Sequence, residues 1–509
     1  MSYQMLINGK LHAGSSALAV INPALETAFA EAPLADRALV ETALDAGVRA
    51  FPAWSALRFD ERGDYMRKWA DAIEARMVEF GRLLTQEQGK PLDQAMYEMG
   101  GTVACLRYYA GQSLSDRLVR EDEATRVIEH RTPLGLVAGI TPWNFPMMLL
   151  MLKIGPALIT GNTIIAKPAP TTPLTTMLLG QLAAEIFPAG VFQTLLTGNE
   201  LASLLTTDPR VACVSFTGST PTGRKVYAAG ADTLKRFTLE LGGNDAAIVL
   251  DDVDAASVAQ GIYNAATLNA GQVCMAAKRI YAPRAIHDEL VDALGALADA
   301  AIVGDGLDQG TQVGPIQNEL QYQKLIGFYN EAAAKGRIAG GQGILDRKGY
   351  FVHPTIVADM PDDSRLVREE QFGPILPVLP YDTLDEALQR ANDSIYGLAG
   401  SVWTSDPQRG EEVARRLDTG TTWVNRHMDL PFDVEFGGCK QSGIGRQQGI
   451  QGLEDLTQPK IVNVNKTAGF PPRGQQPGQD RATAPRAAGK ATAASQKKSV
   501  IARIFSRNP

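Results

Sequence analysis

The sequence predicts an α/β protein built on parallel sheets, and two observations carry this. Short apolar runs recur along the middle of the chain, GLVAGI, TIIAKPA, VACVSFTG and DAAIVL, and helix-spaced stretches such as TTPLTTMLLGQLAAEIF separate them. Strands that alternate with helices pair in parallel, because each crossover needs a helix to return the chain. The pattern then restarts after residue 250. KRIYA, HDELVDALGALADAAIV, PILPVLPY and TTWVNR read as strand, helix, strand and strand, so a second α/β unit is expected. No internal repeat is visible.

The elements follow in order. The N-terminus, MSYQMLINGK, has no charged segment followed by an apolar one, so no signal peptide is expected. Residues 35–100 carry apolar positions at three- and four-residue spacing, in LADRALVETALDAGVRAFPAW and YMRKWADAIEARMVEFGRLLTQEQG, and read as helices. Residues 115–133 alternate like a polar hairpin. The most apolar stretch, FPMMLLMLKIGPALI, is interrupted by Lys153, Gly155 and Pro156 and is too short to span a bilayer. Residues 468–496 are rich in Pro, Ala, Gly, Gln and Arg and have no apolar period, the composition of a disordered linker. The chain ends in KKSVIARIFSRNP, where Val500, Ile501, Ile504 and Phe505 share one helical face.

Composition narrows the function classes. Hydrophobic residues make up 45% and charged residues 21%, as in an ordinary globular protein. The four cysteines, Cys105, Cys213, Cys274 and Cys439, are too far apart for a disulfide framework or a CxxC pair. No metal site is expected, and reduced thiols in a cytoplasm are the simplest reading. The net charge is −7, but from Ala468 onward three lysines and five arginines face Asp480 alone. That segment is +7, which leaves about −14 for the body and argues against nucleic acid as the main partner.

Four segments carry candidate chemistry. NAGQVCMAAKR, residues 269–279, sets Cys274 among small and amide-bearing residues, where backbone can approach a substrate carbonyl. A thiol there is a nucleophile or a small buried hydrophobe. In ITPWNFP, Asn144 could donate to an oxyanion or simply cap a turn. In LELGGND, Glu240 enters a double-glycine bend, as a general base or an exposed strand end. FTGSTPTG, residues 216–223, lies at a strand-to-helix junction where backbone amides can hold a pyrophosphate; Thr220 replaces the middle glycine of GxGxxG.

Together these motifs resemble the aldehyde dehydrogenase superfamily. TPWNFP, KPAPTTPL, FTGST, LELGGN, GQVC, EEQFGP (369–374) and FGGCKQSGIG (436–445) run in that family's order over about residues 5–465. NDAAIVL, GDGLDQGTQVGP and ANDSIYGL are most similar to a bacterial branch whose substrates are poorly defined. The resemblance implies a Rossmann-like cofactor domain (1–112 and 134–242) and an α/β catalytic domain (243–454). It also implies a β-hairpin oligomerisation arm (113–133 and 455–466), followed by a basic tail (467–509) with a short amphipathic end. Homodimers or homotetramers are expected. The tail is a candidate tag for a compartment shell or another partner, and a weak contact with an anionic membrane surface is its rival.

Roles carried over from the resemblance are as follows. Cys274 attacks the aldehyde carbon, and the Asn144 side chain with the Cys274 backbone N–H holds the oxyanion. Glu240 activates water against the thioester, and Lys153 lines the same site. Lys167 would bind the adenosine ribose, with Gly218 and Ser219 at the pyrophosphate. Glu370 would hold the nicotinamide ribose, with Phe372, Trp143 and Ile140 lining the cofactor. The implied cofactor is NAD. NADP is not excluded, because Pro170 stands where NAD-selective relatives carry a glutamate three residues after the lysine. Two other departures are Gln458, where relatives have a glutamate that could relay a proton, and Glu435 ahead of FGG, where proline is common. The implied product is a free acid. A CoA-acylating enzyme is one alternative, against which Glu240 speaks, and a non-catalytic binding protein on the same fold is another. Arg426 or His427 could attract a substrate carboxylate, and Met147, Met148, Met151 and Met275 could line an apolar tunnel.

Overall fold

The apolar runs form strands of five to seven residues, each closed by a turn signal: Leu136–Ile140, Thr163–Lys167, Val211–Thr217, Arg236–Glu240 and Asp245–Val249. In this computed structural model, which describes residues 2–467 and Gly469, the first four lie side by side in one sheet. Its spatial order is Gly443–Ile444, Arg236–Glu240, Val211–Thr217, Leu136–Ile140, Thr163–Lys167, Phe192–Thr194. All neighbours are parallel except the two-residue edge strand Gly443–Ile444.

This order contains a switch point. From Leu136–Ile140 the chain builds outward to Thr163–Lys167 and Phe192–Thr194, then returns to the other side of the starting strand with Val211–Thr217. The connections on either side leave in opposite directions, which opens a crevice at the carboxyl ends of the strands. Ile140, Lys167, Thr217 and Glu240 are the last residues of four adjacent strands, with Ile140 paired to Phe216 and Lys167, and Thr217 paired to Glu240.

The second sheet runs Arg337–Gly340, Thr355–Ala358, Ile375–Tyr381, Ala277–Pro283, Asp245–Val249, Ala399–Trp403, Thr421–Val424, parallel apart from its first pair. Separate apolar clusters cover its two faces. Its strands are therefore apolar on both sides, and no in–out alternation is visible in their sequences.

The expected N-terminal helices are Arg37–Ser55, Phe59–Glu74, Met77–Gln88 and Leu92–Ala110. The apolar spacing in YMRKWADAIEARMVEFGRLLTQEQG runs on unbroken, but the helix breaks at Ala75–Arg76, where the Arg76 guanidinium turns to Glu79 at 2.7 Å. Trp54, Trp69, Phe80 and Tyr109 from these helices are fully buried in the core of the first sheet. Burying each such ring stabilises the fold by about 2–3 kcal/mol. The N-terminal hairpin Met5–Ile7 with Lys10–His12 was not anticipated; it turns on Asn8 and Gly9, both left-handed with φ of 50° and 73°.

The polar hairpin is present as Arg117–Glu121 and Thr125–Pro133, and Thr457–Asn465 extends it to three strands. Leu118–Val127 with residues 463–467 forms a separate small unit. Within it, Lys466 donates from its backbone to Ala124 at 2.8 Å and from its ammonium to Glu121 at 3.3 Å. The expected tail lies outside the described residues apart from Thr467 and Gly469. Among the described residues no helix is long and apolar enough to cross a membrane.

Candidate active site

The cysteine run folds as a tight turn. Asn269, Ala270 and Gly271 are three consecutive left-handed residues, with φ of 52°, 55° and 71°. For asparagine and alanine this conformation costs roughly 1–2 kcal/mol each. Surrounding hydrogen bonds hold it in place. The Asn269 N–H donates to Gln94 at 3.0 Å, its amide to the Asn144 carbonyl at 2.9 Å, and Gln272 returns an amide to the Asn269 carbonyl at 2.9 Å. Gly271 has no room for a side chain, since a Cβ would lie 2.6 Å from the Gly373 carbonyl. Cys274 follows this turn and is partly exposed.

Three motifs meet behind the cysteine. A Cβ on Gly243, at the double-glycine bend, would lie 2.6 Å from the Cys274 carbonyl oxygen. The Gly243 N–H donates to Glu370 of EEQFGP at 2.9 Å. Lys278 sits between them: its ammonium donates to the carbonyls of Val273 at 2.8 Å and Cys274 at 2.5 Å and lies 4.0 Å from Glu370. Sequence reasoning missed Lys278, whose basic neighbour Arg279 hides it in an ordinary strand start.

Asn144 precedes the helix Pro146–Ile159 and is 2% exposed. Its amide nitrogen donates to the Gln272 carbonyl at 2.8 Å, two residues before Cys274, and its Oδ1 has no partner among the described residues. A buried ion pair fixes this loop. Lys90 reaches Glu98 at 2.5 Å and the Asn144 carbonyl at 2.9 Å, and lies over the Phe145 ring at 3.6 Å. Glu98 also accepts the N–H groups of Met147 and Met148 at the helix start, at 2.9 and 3.1 Å. Nothing in the sequence near Asn144 points to Lys90 or Glu98.

Glu240 ends its strand 4% exposed, and neither carboxylate oxygen has a hydrogen-bond partner among the described residues. Burial pushes its carboxyl up to about 8, against the opposing charges of Lys153 and Arg446. Lys153 donates to Thr217 Oγ1 at 2.7 Å and Ser215 Oγ at 3.3 Å; burial pushes its ammonium down to about 7, with Glu240 opposing. Burial likewise pushes the Cys274 thiol up to about 12; Lys278 opposes this, while Glu370, Glu240 and Asp245 add to it. At neutral pH the Cys274 side chain is therefore a thiol.

The remaining expected residues lie around the same crevice. Trp143 and Phe372 meet edge to face with ring centroids 5.4 Å apart, and Phe372 is left-handed at φ 54°. Ile140 ends the switch-point strand. The Gly218 N–H donates to the Glu240 carbonyl at 3.0 Å, and Ser219 caps the ten-residue helix Thr220–Ala229. Lys167 is 6% exposed, its ammonium has one long backbone acceptor, Pro168 at 3.3 Å, and burial pushes it down to about 8. A buried amine short of partners, a helix N-terminus and a strand-order switch fit a phosphate-bearing dinucleotide.

Other candidates fall outside this arrangement. Cys105 and Cys213 are fully buried core residues. Cys439 donates to the carbonyls of Gly397 and Asp418 at 3.3 and 3.1 Å. Met147 and Met151 are fully buried in the core, whereas Met148 and Met275 are partly exposed. Arg426 is exposed and paired with Asp429. His427 bonds through Nε2 to the Met275 carbonyl at 2.7 Å, and burial pushes it down to about 4. Neither offers a free charge to a carboxylate. Gln458 is exposed and accepts from Arg236 at 2.6 Å, and Glu435 folds against Gly449.

A partly exposed cysteine, a buried asparagine amide and a buried carboxyl thus lie close to the carboxyl ends of the strands at a strand-order switch point. A sequence profile of the aldehyde dehydrogenase family matches residues 11–462, and the chain belongs to that family. It is an NAD(P)-dependent aldehyde oxidoreductase. Among its relatives, aldehyde dehydrogenase LUC3 of Fusarium is 38% identical over 468 residues, covering 91% of this chain and 99% of that protein. Betaine aldehyde dehydrogenase of Rhizobium etli is 38% identical, covering 87% and 92%. Of solved structures, the NAD+ complex of a Bacillus cereus aldehyde dehydrogenase superposes with a TM-score of 0.89 at 34% identity, covering 92% of this chain and 97% of that one. Betaine aldehyde dehydrogenase of Staphylococcus aureus with NAD+ gives 0.89 at 32% identity, covering 92% and 96%.

Proposed function

We propose that this enzyme oxidises an aldehyde to the free carboxylic acid through a thioester on Cys274. The observation that carries this is Cys274 after a strained turn whose Gln272 carbonyl accepts from the buried Asn144 amide nitrogen at 2.8 Å, together with the buried Glu240 carboxyl, whose oxygens have no partner among the described residues. The thiol passes its proton through water to the ionised Glu240 carboxylate, and its sulfur adds to the aldehyde carbon; the proton leaves Glu240 to solvent before hydrolysis. Negative charge on the former carbonyl oxygen is met by the Asn144 amide and the Cys274 N–H, donors already fixed in a dry site. Bound nicotinamide supplies the hydride acceptor. Glu240 then takes a proton from water, which adds to the thioester carbon; the C–S bond breaks and the acid leaves.

The acceptor is NAD+, as in the B. cereus and S. aureus complexes, with Lys167, Gly218, Ser219, Glu370, Phe372, Trp143 and Ile140 holding it. Pro170 places no carboxylate against a 2′-phosphate, so NADP+ is a second acceptor. Retention of Glu240 favours hydrolysis over acyl transfer to CoA. The enzyme works in the cytoplasm as a homodimer or homotetramer. The strand Arg117–Glu121 presents exposed Leu118 and Val119, apolar groups suited to a neighbouring copy. The basic segment 468–509 is a docking tag for a compartment shell or another protein. Fused to a soluble reporter, it will relocate the reporter in its native cell; a diffuse reporter removes the tag.

The deciding experiment compares wild type with Asn144→Ala, following reduced cofactor and acid product. Acid in a one-to-one ratio with reduced cofactor supports hydrolysis. Product that requires CoA overturns it.

A further inference from the structure

Two side chains act on the cysteine turn: Lys278, which was not anticipated, and His427, which was expected to meet a substrate carboxylate instead. Lys278, 2% exposed, donates to the carbonyls of Val273 and Cys274. His427 bonds through Nε2 to the next carbonyl, Met275, at 2.7 Å. Three successive carbonyls are therefore bound by two side chains. In a trans peptide the N–H points opposite to the carbonyl. Holding the Val273 carbonyl thus fixes the direction of the Cys274 N–H, which donates to no acceptor among the described residues. Holding the Cys274 and Met275 carbonyls fixes the two peptides that follow the nucleophile.

We propose that Lys278 and His427 are positioning residues, a carbonyl clamp that orients the Cys274 N–H and thiol toward the incoming aldehyde. The clamp rests on the thioester reading, but its geometry is already present without substrate. Its two arms differ in kind. Lys278 carries charge, stands 4.0 Å from Glu370 and is the cation that opposes Glu370, Glu240 and Asp245 at the Cys274 thiol. His427 works as a neutral donor. Its ring packs on Trp423 with centroids 4.8 Å apart, and burial, with Lys278 nearby, keeps it unprotonated. With Nε2 donating, Nδ1 carries a lone pair, and that atom has no partner. The two rings are tilted by 46°, and Nε2 is the donor that the Met275 carbonyl meets.

The test uses the full-length enzyme and four variants, Lys278→Met, Lys278→Arg, His427→Phe and His427→Gln. The first readout is the rate of Cys274 alkylation by iodoacetamide at about pH 8, with Cys274→Ala subtracting the other thiols. Removing a cation beside a thiol disfavours the thiolate, so Lys278→Met is expected to slow alkylation by about ten-fold. Lys278→Arg keeps the charge and the wild-type rate. The second readout is the split between kcat and KM. His427→Phe is expected to lower kcat on the order of ten- to a hundred-fold with little change in KM, the size expected when a donor is misplaced. His427→Gln, which keeps an N–H, restores most of it. An unchanged alkylation rate in Lys278→Met, or equal kcat in His427→Phe and wild type, overturns the clamp. If Lys278→Met does not fold, the His427 pair decides alone. If wild type oxidises no aldehyde, the thioester reading fails, while the alkylation rate still decides the clamp.

Discussion

Exchange of Glu240 for glutamine should stabilise the fold and slow turnover at once. Neither Glu240 oxygen has a hydrogen-bond partner among the described residues, so the amide replaces the carboxyl without breaking a bond. Burial raises the carboxyl from 4.5 to about 8. A carboxyl with a raised folded pKa favours the native state only while protonated. Its cost begins as pH rises through the unfolded value and levels off above the folded one. At pH 7 the unfolded group is ionised and the folded one still holds its proton, a mismatch of roughly 2.5 pH units at 1.36 kcal/mol each, or about 3 kcal/mol. The amide removes that cost. The protonated carboxyl carries no charge to attract Lys153, so the gain at pH 7 stays at about 3 kcal/mol. Urea unfolding followed by tryptophan fluorescence at pH 5 and pH 8 reads it, with the larger gain expected at pH 8. The same variant should show a burst of reduced cofactor, then steady turnover slowed by about 10²–10⁴-fold. No pH-dependent gain in stability, or wild-type steady turnover, would refute the reasoning.

Three further outcomes follow from the same site. Asn144→Ala should lower kcat by about 10²–10³-fold, the cost of one oxyanion donor, while cofactor binding measured by fluorescence quenching stays intact. The rate should rise with pH through about 8 as Glu240 loses its proton and becomes a base, and a profile already flat above pH 6 would remove it from that role. Glu98→Gln should destabilise the protein by about 3–5 kcal/mol in urea unfolding, because it leaves Lys90 buried without its counter-charge.

How much was legible in the sequence differs by kind of residue. Cys274, Asn144, Glu240 and Glu370 lie in short contiguous motifs, because each needs a particular backbone turn to face the crevice. The parallel sheets were legible from recurring apolar runs. What supports the site was not. Lys90 reaches Asn144, and Glu98 the start of the helix after it, across more than forty residues of chain, and no local pattern records those contacts. Lys278 sat in a motif already in view, but its role depends on where its ammonium ends up. Asparagine at 269 tolerates a left-handed backbone, whereas Ala270 beside it gives no such signal. The helix break at Ala75–Arg76 was hidden because the apolar spacing continues across it. The Asn8–Gly9 turn is a hairpin signal, yet its three-residue strands are too short to alternate visibly.

The central claim is that Cys274 carries an aldehyde through a thioester to a free acid. Reduction of NAD+ and NADP+ should be followed in parallel over a panel of aliphatic, aromatic and semialdehyde substrates, with Cys274→Ala alongside wild type. The account predicts turnover with at least one aldehyde, without added CoA, and its loss in Cys274→Ala. Turnover that survives in Cys274→Ala, or that appears only when CoA is added, would contradict it.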